Sequence, residues 1–381
     1  MRSWDIFCNV VDNFGDIGVS WRLARQLAAE RGLRVRLWVD DLASFRRICQ
    51  DIATGLESQH SQGVEVRWWR EPFPLVDPAD VVVEAFACNP PASYVAAMAA
   101  KQPKPVWINL EFLSAENWVR GCHGLPSPHP SLPLVKYFFF PGFAAGTGGL
   151  LAEQGLAQAR ERFQHSSAEQ ARFWQGLGLP APRAGELQVS MFCYPHGGIS
   201  ALLRAWVAGG TPLRCLVAEG TATAALSAFF GTDHLAPGAI LRKAGLEVRV
   251  FPFLDQDQFD RLLWACDLNI VRGEDSFVRA QWAARPLLWQ IYPQQEGAHQ
   301  PKLQAFLELY CAGLAAETAA VVSRLWQAWN KGDEVEIEAA WPDFWEHRIE
   351  LQEHAQRWAE QLAATGDLAN NLAQFCDNLL K

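Results

Sequence analysis

The chain has 381 residues, half of them apolar and 20% charged, enough for real hydrophobic cores and about twice the usual domain size, so two domains are expected. A net charge of −9, with no run of five like charges, excludes a general nucleic-acid binder and suits a basic substrate or partner surface. Nine scattered cysteines without a C-x-x-C pair read as buried reduced thiols, not as disulfides or a zinc site. The opening MRSWDIFCNVVDNFGD lacks a signal-peptide core, and no apolar stretch reaches the ~18 residues of a membrane helix, so a water-soluble cytoplasmic protein without membrane contact is expected.

In chain order, 4–11 reads as a buried strand and 15–32 as a helix with Ile17, Trp21, Ala24 and Ala28 on one face. A strand at 34–39 and a helix around 41–52 follow, then strands at 64–69, 80–86, 105–110 and 136–141. The glycine- and proline-rich stretch 176–185 reads as a linker, after which the pattern restarts. Strands are expected at 187–194, 213–218, 246–251, 267–271 and 286–292, with a helix at 196–208 and further helical patterns between them. Beyond Glu296 the chain is nearly all helical, ending in a helix over 358–380. Alternating strands and helices in two halves imply an α/β protein with two Rossmann-type, mostly parallel sheets and a ligand cleft between them. The expected division is 1–180 for the first domain, with the terminal helix 358–381 packed on it, and 186–357 for the second.

Four constellations could carry chemistry. In Asp12-Asn13-Phe14-Gly15-Asp16, between the first strand and the first helix, G-x-G-x-x-G is absent, which disfavours a dinucleotide. Two carboxylates instead stand four residues apart at a strand's carboxyl end; they are either a helix cap with a first-turn charge, or catalytic groups. In Arg272-Gly273-Glu274-Asp275-Ser276, a glycine lets the backbone approach a ligand, the following N–H groups would face an anion, and the arginine adds a phosphate fork. This turn is either a diphosphate seat or a plain helix start. Phe192 and Tyr194, with Phe251, Phe253 and Phe259 around Gln256, are either core or a stacking face for a nucleobase. Tyr292, Gln294, His299 and Lys302 form a polar string after a strand, in which His299 is either structural or ligand-facing.

Together these segments resemble the bacterial elongation factor P arginine rhamnosyltransferases, the EarP family. The likeness runs from WDIFCNVVDNFGDIGVSWRLARQL at residue 4 through INLEFLSAENWV at 108–119, KYFFFPGF at 136–143 and VRGEDSFVRAQWA at 271–283 to WQIYPQQEGAH at 289–299. It covers essentially the whole chain. The resemblance implies a GT-B-like fold, with two Rossmann-type domains facing a central cleft. It also implies inverting transfer of L-rhamnose from TDP-β-L-rhamnose to one arginine of elongation factor P, which then helps ribosomes stalled at proline runs. It places the acceptor on the N-terminal lobe and the donor on the C-terminal lobe, and no metal or other cofactor is expected. The catalytic set falls on Asp12, Asp16 and Glu274. The thymine pocket falls on Phe192, Phe253 and Phe259, and the diphosphate contacts on Tyr194, Arg272, Asp275 and Ser276, largely through backbone N–H groups. Asn13, Phe14, Gly15, Gln256, Gly273 and Tyr292 complete the expected substrate contacts. Phe14 stands where some members have tyrosine.

The chemistry fits these residue types. An arginine guanidinium stays charged, with a pKa above ~12, and its nitrogen lone pairs are delocalised. Two carboxylates can grip the planar fork and fix one nitrogen for attack. As the new C–N bond forms, that nitrogen becomes acidic and one carboxylate can take its proton. Asp16 is the expected base and Asp12 its orienting partner. Arg272 and the helix start at 273–276 would stabilise the leaving diphosphate. Glu274 either holds sugar hydroxyls or stabilises an oxocarbenium-like centre. The rival readings are another transferase or a nucleotide-sugar epimerase of the same build, and a non-catalytic protein that docks on a translation factor.

Overall fold

The computed structural model describes residues 2–12, 14–294 and 297–381, which form two compact units, Met1–Gln154 with Gln361–Lys381, and Gly155–Glu360.

The first unit is built on eight strands: β1 (Ser3–Cys8), β2 (Arg34–Val39), β3 (Ser58–Ser61), β4 (Val64–Trp68), β5 (Val81–Ala85), β6 (Val106–Leu110), β7 (Pro126–Pro128) and β8 (Val135–Phe139). Their spatial order is β3-β4-β2-β1-β5-β6-β8-β7. The six inner strands run parallel, while β3 and β7 are antiparallel edges. β5 and β6 are buried at every position, as strands covered on both faces must be. Charged groups inside this core are paired: Asp5 is fully buried and receives both arms of the Arg36 fork at 2.6 Å, the Trp38 indole at 3.3 Å and the Ala79 N–H at 3.1 Å, and the equally buried Glu84 meets Lys136 at 2.6 Å. Helix α1 (Gly15–Arg31) follows β1 and ends on Gly32, whose φ of 60° suits a left-handed cap.

The second unit has β9 (Leu187–Met191), β10 (Leu213–Ala218), β11 (Ile240–Lys243), β12 (Leu246–Phe251), β13 (Leu268–Arg272) and β14 (Leu287–Gln290), in the order β11-β12-β10-β9-β13-β14. All pairs are parallel except the edge pair β11–β12. Its helices include α7 (Gly198–Gly209) after β9, α9 (Gln256–Ala265) after β12, α10 (Asp275–Trp282) after β13, and a helical run that contains α12 (Ala316–Lys331).

Both sheets have a topological switch point. In the first, β1 lies between β2 and β5; in the second, β9 lies between β10 and β13. At such points successive crossovers leave in opposite directions, and the loops at the carboxyl ends part to form a crevice. The sequence puts its two charged turns there, after β1 and after β13.

Several expectations shift at their edges. β1 ends at Cys8, since Val11 is 72% exposed and the Val10 N–H turns to the Asp40 carboxylate at 2.9 Å. The terminal helix is two elements, α14 (Arg348–Ala363) and α15 (Leu368–Leu379). They part at Gly366, with φ 80°, and Asp367 caps the second by accepting the Asn370 N–H. α15 packs on α1, where the Gln26 amide reaches Asp367 at 2.9 Å. The units divide after Gln154, upstream of the 176–185 stretch. The reason is that α5 (Leu156–His165) belongs to the second core: Phe163 meets Trp264 edge-on at 5.8 Å, and Arg160 donates to the Trp282 carbonyl at 3.1 Å.

Candidate active site

The turn after β1 is organised by Asp16. The N-cap position of α1 is Phe14, which makes no side-chain cap, and its carbonyl accepts the Gly18 N–H at 2.9 Å. Asp16, in the first helical turn, reaches back along the chain and accepts the N–H groups of Val11 and Asp12, each at 2.8 Å. The carboxylate is only 6% exposed. Burial pushes its pKa up, the two N–H donors pull it down, and the neighbouring carboxylates of Asp12 and Asp40 raise it again; the net shift is upward. A carboxylate held against this gradient is a better proton acceptor than an ordinary aspartate.

Gly15 leaves room for Asp12. Its N–H donates to the Asp12 carbonyl at 2.6 Å, and a Cβ at this position would lie 2.8 Å from Asp12 Oδ2. Glycine therefore lets the Asp12 carboxylate lie against the start of the helix. Asn13 lies outside the described residues. Asp40, which the sequence did not single out, fixes the approach to the turn by accepting the N–H groups of Val10 and Asp41, both at 2.9 Å. Its only sequence signal is an acidic residue at the end of β2, beside β1.

The second unit gathers its residues at the β9–β13 switch point. Arg272 ends β13 and folds over the loop after β9: its guanidinium lies 4.4 Å from the Phe192 ring centre and 4.6 Å from that of Tyr194, and it donates to the Cys193 carbonyl at 3.3 Å. Phe192 meets Phe253 and Phe259 edge-on at 6.2 and 5.6 Å. Phe253 and Phe259 also pack on the core around Leu216, Phe251 and Leu262, so these rings serve both as core and as partly open surface. The Phe253 N–H donates to Glu219 at 3.4 Å, which puts a carboxylate that the sequence reading passed over beside the aromatic set. Tyr292, 42% exposed, meets Tyr194 edge-on at 5.7 Å.

Gly273 has φ 60° and both its polar atoms are tied to β14. Its N–H donates to the Gln290 carbonyl at 3.1 Å, and its carbonyl accepts the Trp289 indole N–H at 2.7 Å. The Trp289 ring stacks on Phe277 at 3.8 Å, 4° from parallel. The Gln290 side chain reaches the other loop and accepts the Tyr194 N–H at 2.7 Å. Asn330 of α12 secures β14, donating to the Trp289 carbonyl at 2.8 Å and accepting the Ile291 N–H at 2.9 Å. Trp289 and Gln290 lie in the segment 289–299, yet their role depends on tertiary pairing and has no sequence signature.

The Ser276 hydroxyl donates to the Arg272 carbonyl at 2.5 Å and accepts the Arg272 N–H at 3.2 Å. Two backbone donors assigned by resemblance to diphosphate, those of Tyr194 and Arg272, thus have protein acceptors in this structure. Glu274 takes the N-cap position of α10 without a side-chain cap. Asp275 accepts the Gln256 amide at 3.3 Å, joining the starts of α9 and α10. Below them Arg279 and Asp260 form a buried two-armed pair at 3.0 and 2.6 Å. His299 Nδ1 accepts the Gln294 N–H at 3.1 Å, a structural bond. His196, at the start of α7, accepts the Gly198 N–H at 3.2 Å and meets Trp329 edge-on at 4.2 Å; burial pushes its pKa down to about 4, so the ring is neutral near pH 7. Among the described residues no three His, Cys, Asp or Glu side chains converge as a metal-holding group, and the nine cysteines are unpaired thiols.

Two doubly wound units with polar constellations at their switch points make a GT-B-like α/β fold. A UGT transferase of Siraitia grosvenorii solved in complex with UDP shares this fold, with a TM-score of 0.54 at 11% identity over 100% of both chains. Residues 4–377 match the elongation factor P rhamnosyltransferase EarP model, and the chain belongs to that family. It is 50% identical over 378 residues to the protein-arginine rhamnosyltransferase of Pseudomonas putida, covering 99% of each, and 35% identical over 379 residues to that of Neisseria meningitidis, covering 97% of this chain and 96% of the relative. A solved structure described as the basis for EarP-mediated arginine glycosylation of translation elongation factor EF-P gives a TM-score of 0.72 at 38% identity over 99% of both chains.

Proposed function

We propose that this protein transfers L-rhamnose from TDP-β-L-rhamnose to an arginine side chain of elongation factor P, with inversion at the anomeric carbon and without a metal ion. The observation that carries this reading is the Asp12–Asp16 pair at the first switch point, in a chain matched along nearly its whole length by the family. Asp16 is the base: it is buried, held by two N–H donors and shifted toward higher pKa. Asp12 orients the guanidinium through charge-assisted hydrogen bonds.

In the transition state one guanidinium nitrogen bonds to the anomeric carbon as the bond to the diphosphate oxygen breaks. Asp16 takes the proton that this nitrogen becomes ready to lose. The leaving diphosphate gains charge near Arg272 and the start of α10, where a cation and oriented backbone dipoles stabilise it. Phe192, Phe253 and Phe259 form the seat for the thymine ring, and Glu274 acts on the sugar side. A cytoplasmic location follows from an acceptor that serves ribosomes.

Intact-mass measurement of elongation factor P after incubation with TDP-rhamnose and this protein is the test. Gain of one deoxyhexosyl group on an arginine is expected, with EDTA present or absent. An unchanged mass overturns the reading, and a gain abolished by EDTA overturns its metal-free form. An epimerase would alter the nucleotide sugar without the factor, and a docking protein would bind the factor without changing its mass.

A further inference from the structure

The loops leaving β5 and β6 hold a strained and partly exposed aromatic feature that the proposed chemistry has not used. Phe86, Ala87 and Asn89 have φ values of 57°, 53° and 51°. The left-handed region is unfavourable for a residue as bulky as phenylalanine, and it persists only where surrounding structure enforces it. Here the Phe86 N–H donates to the Leu110 carbonyl at 2.7 Å, the Ala87 N–H to the Asn109 side chain at 3.1 Å, and the Cys88 thiol to the Phe7 carbonyl at 3.3 Å. The half-buried Phe86 ring stacks on Phe112 at 4.7 Å and 23°, and Phe112 is 40% exposed. The same Asn109 donates its amide to Glu111 at 2.5 Å, so one buried side chain sets both the strained loop and a carboxylate.

This feature shares its sheet edge with the candidate base. β5 pairs with β1 in parallel, Glu84 opposite Phe7, so the loop bearing Phe86 leaves the sheet beside the loop bearing Asp12 and Asp16. Along the edge run carboxylates after β2 (Asp40), after β1 (Asp12, Asp16) and after β6 (Glu111), with the ring stack among them. An aromatic face bordered by acids suits a cationic side chain whose stem and flat head are apolar on their faces and charged at their rim, which is an arginine.

We propose that the Phe86–Phe112 stack, with Glu111, is the platform on which the acceptor protein rests its arginine-bearing loop, delivering the guanidinium toward Asp12 and Asp16. The proposal rests on the protein-arginine transfer reading above. It assigns acceptor affinity to Phe112 and leaves donor binding to the other unit.

Steady-state transfer to intact elongation factor P and calorimetric binding of TDP test it on the full chain. Phe112→Ala is expected to raise the acceptor KM roughly tenfold or more, as truncation of an aromatic anchor does, with TDP affinity within twofold of wild type. Phe112→Tyr should restore wild-type KM. Glu111→Gln keeps the acceptor atom for Asn109 and removes the charge, so it should also raise the acceptor KM; it serves if the alanine variant fails to fold. Unchanged acceptor KM in Phe112→Ala and Glu111→Gln overturns the platform and leaves the transfer reading intact. Lost TDP affinity makes Phe112 a donor contact and likewise overturns it. No mass gain by the wild-type protein overturns both.

Discussion

Gln290 accepts the backbone N–H of Tyr194 on its side chain at 2.7 Å, while its own carbonyl accepts the N–H of Gly273 at 3.1 Å. One residue of β14 thus holds the loop after β9 and the turn after β13 at fixed separation. Both loops are where the proposed donor diphosphate lies. Gln290→Leu would leave the Tyr194 N–H without its acceptor, a loss of about 1–3 kcal/mol. The donor KM should rise roughly tenfold or more with acceptor KM unchanged. Bisubstrate kinetics read that split; equal effects on both constants would mean general misfolding.

Asp16→Asn retains shape and removes the basic group. Transfer should fall roughly 10²- to 10⁴-fold, the usual worth of a positioned base. TDP binding, measured by calorimetry, should be unchanged because Asp16 belongs to the other unit.

The raised pKa of Asp16 has a direction that kinetics can read. The base must be ionised to act, so the acid limb of kcat/KM should lie above that of an ordinary aspartate. Asp40 is among the charges that raise it. Removing that charge in Asp40→Asn stabilises ionised Asp16, so the limb should move to lower pH. A limb that stays in place would mean Asp16 is not the titrating group.

His196 couples stability to pH in the opposite sense to a partnered histidine. Its folded pKa is pushed down to about 4, below the ordinary value, so between the two values the unfolded chain binds more protons than the folded one. Stability from this site is therefore full above the ordinary histidine pKa and is lost as pH falls toward 4. Melting temperature should drop less between pH 7 and pH 5 in His196→Gln than in wild type, relative to each protein's own value at pH 7.

Asp260 and Arg279 are 5% and 2% exposed and meet through two hydrogen bonds. Asp260→Ala removes both of these hydrogen bonds and the countercharge from a buried guanidinium and should cost about 3–5 kcal/mol. Replacing both residues with apolar ones of similar volume should cost far less, because no charge is then left unpaired. Denaturant unfolding of the two variants distinguishes these outcomes.

The sequence by itself determined the α/β class and the alternation that makes two parallel sheets. Strands such as 34–39, 213–218 and 246–251 stand at the residues expected, because their dense apolar and β-branched residues, bounded by polar and glycine-bearing turns, mark them locally. It also determined that acidic and glycine-bearing turns follow β1 and β13, since a turn's residues are local. Tertiary structure decided what those turns hold. It folded Asp16 back onto the Val11 and Asp12 N–H groups. It also laid Arg272 over Phe192 and Tyr194, and brought Gln290 and Asn330 in from distant parts of the chain. The unit boundary after Gln154 and the break at Gly366 likewise depend on packing partners far away in sequence. Periodicity reports which face of an element is buried, but not which residue, dozens or hundreds of positions away, will face a given N–H. That choice is made only when the strands take their order in the sheet.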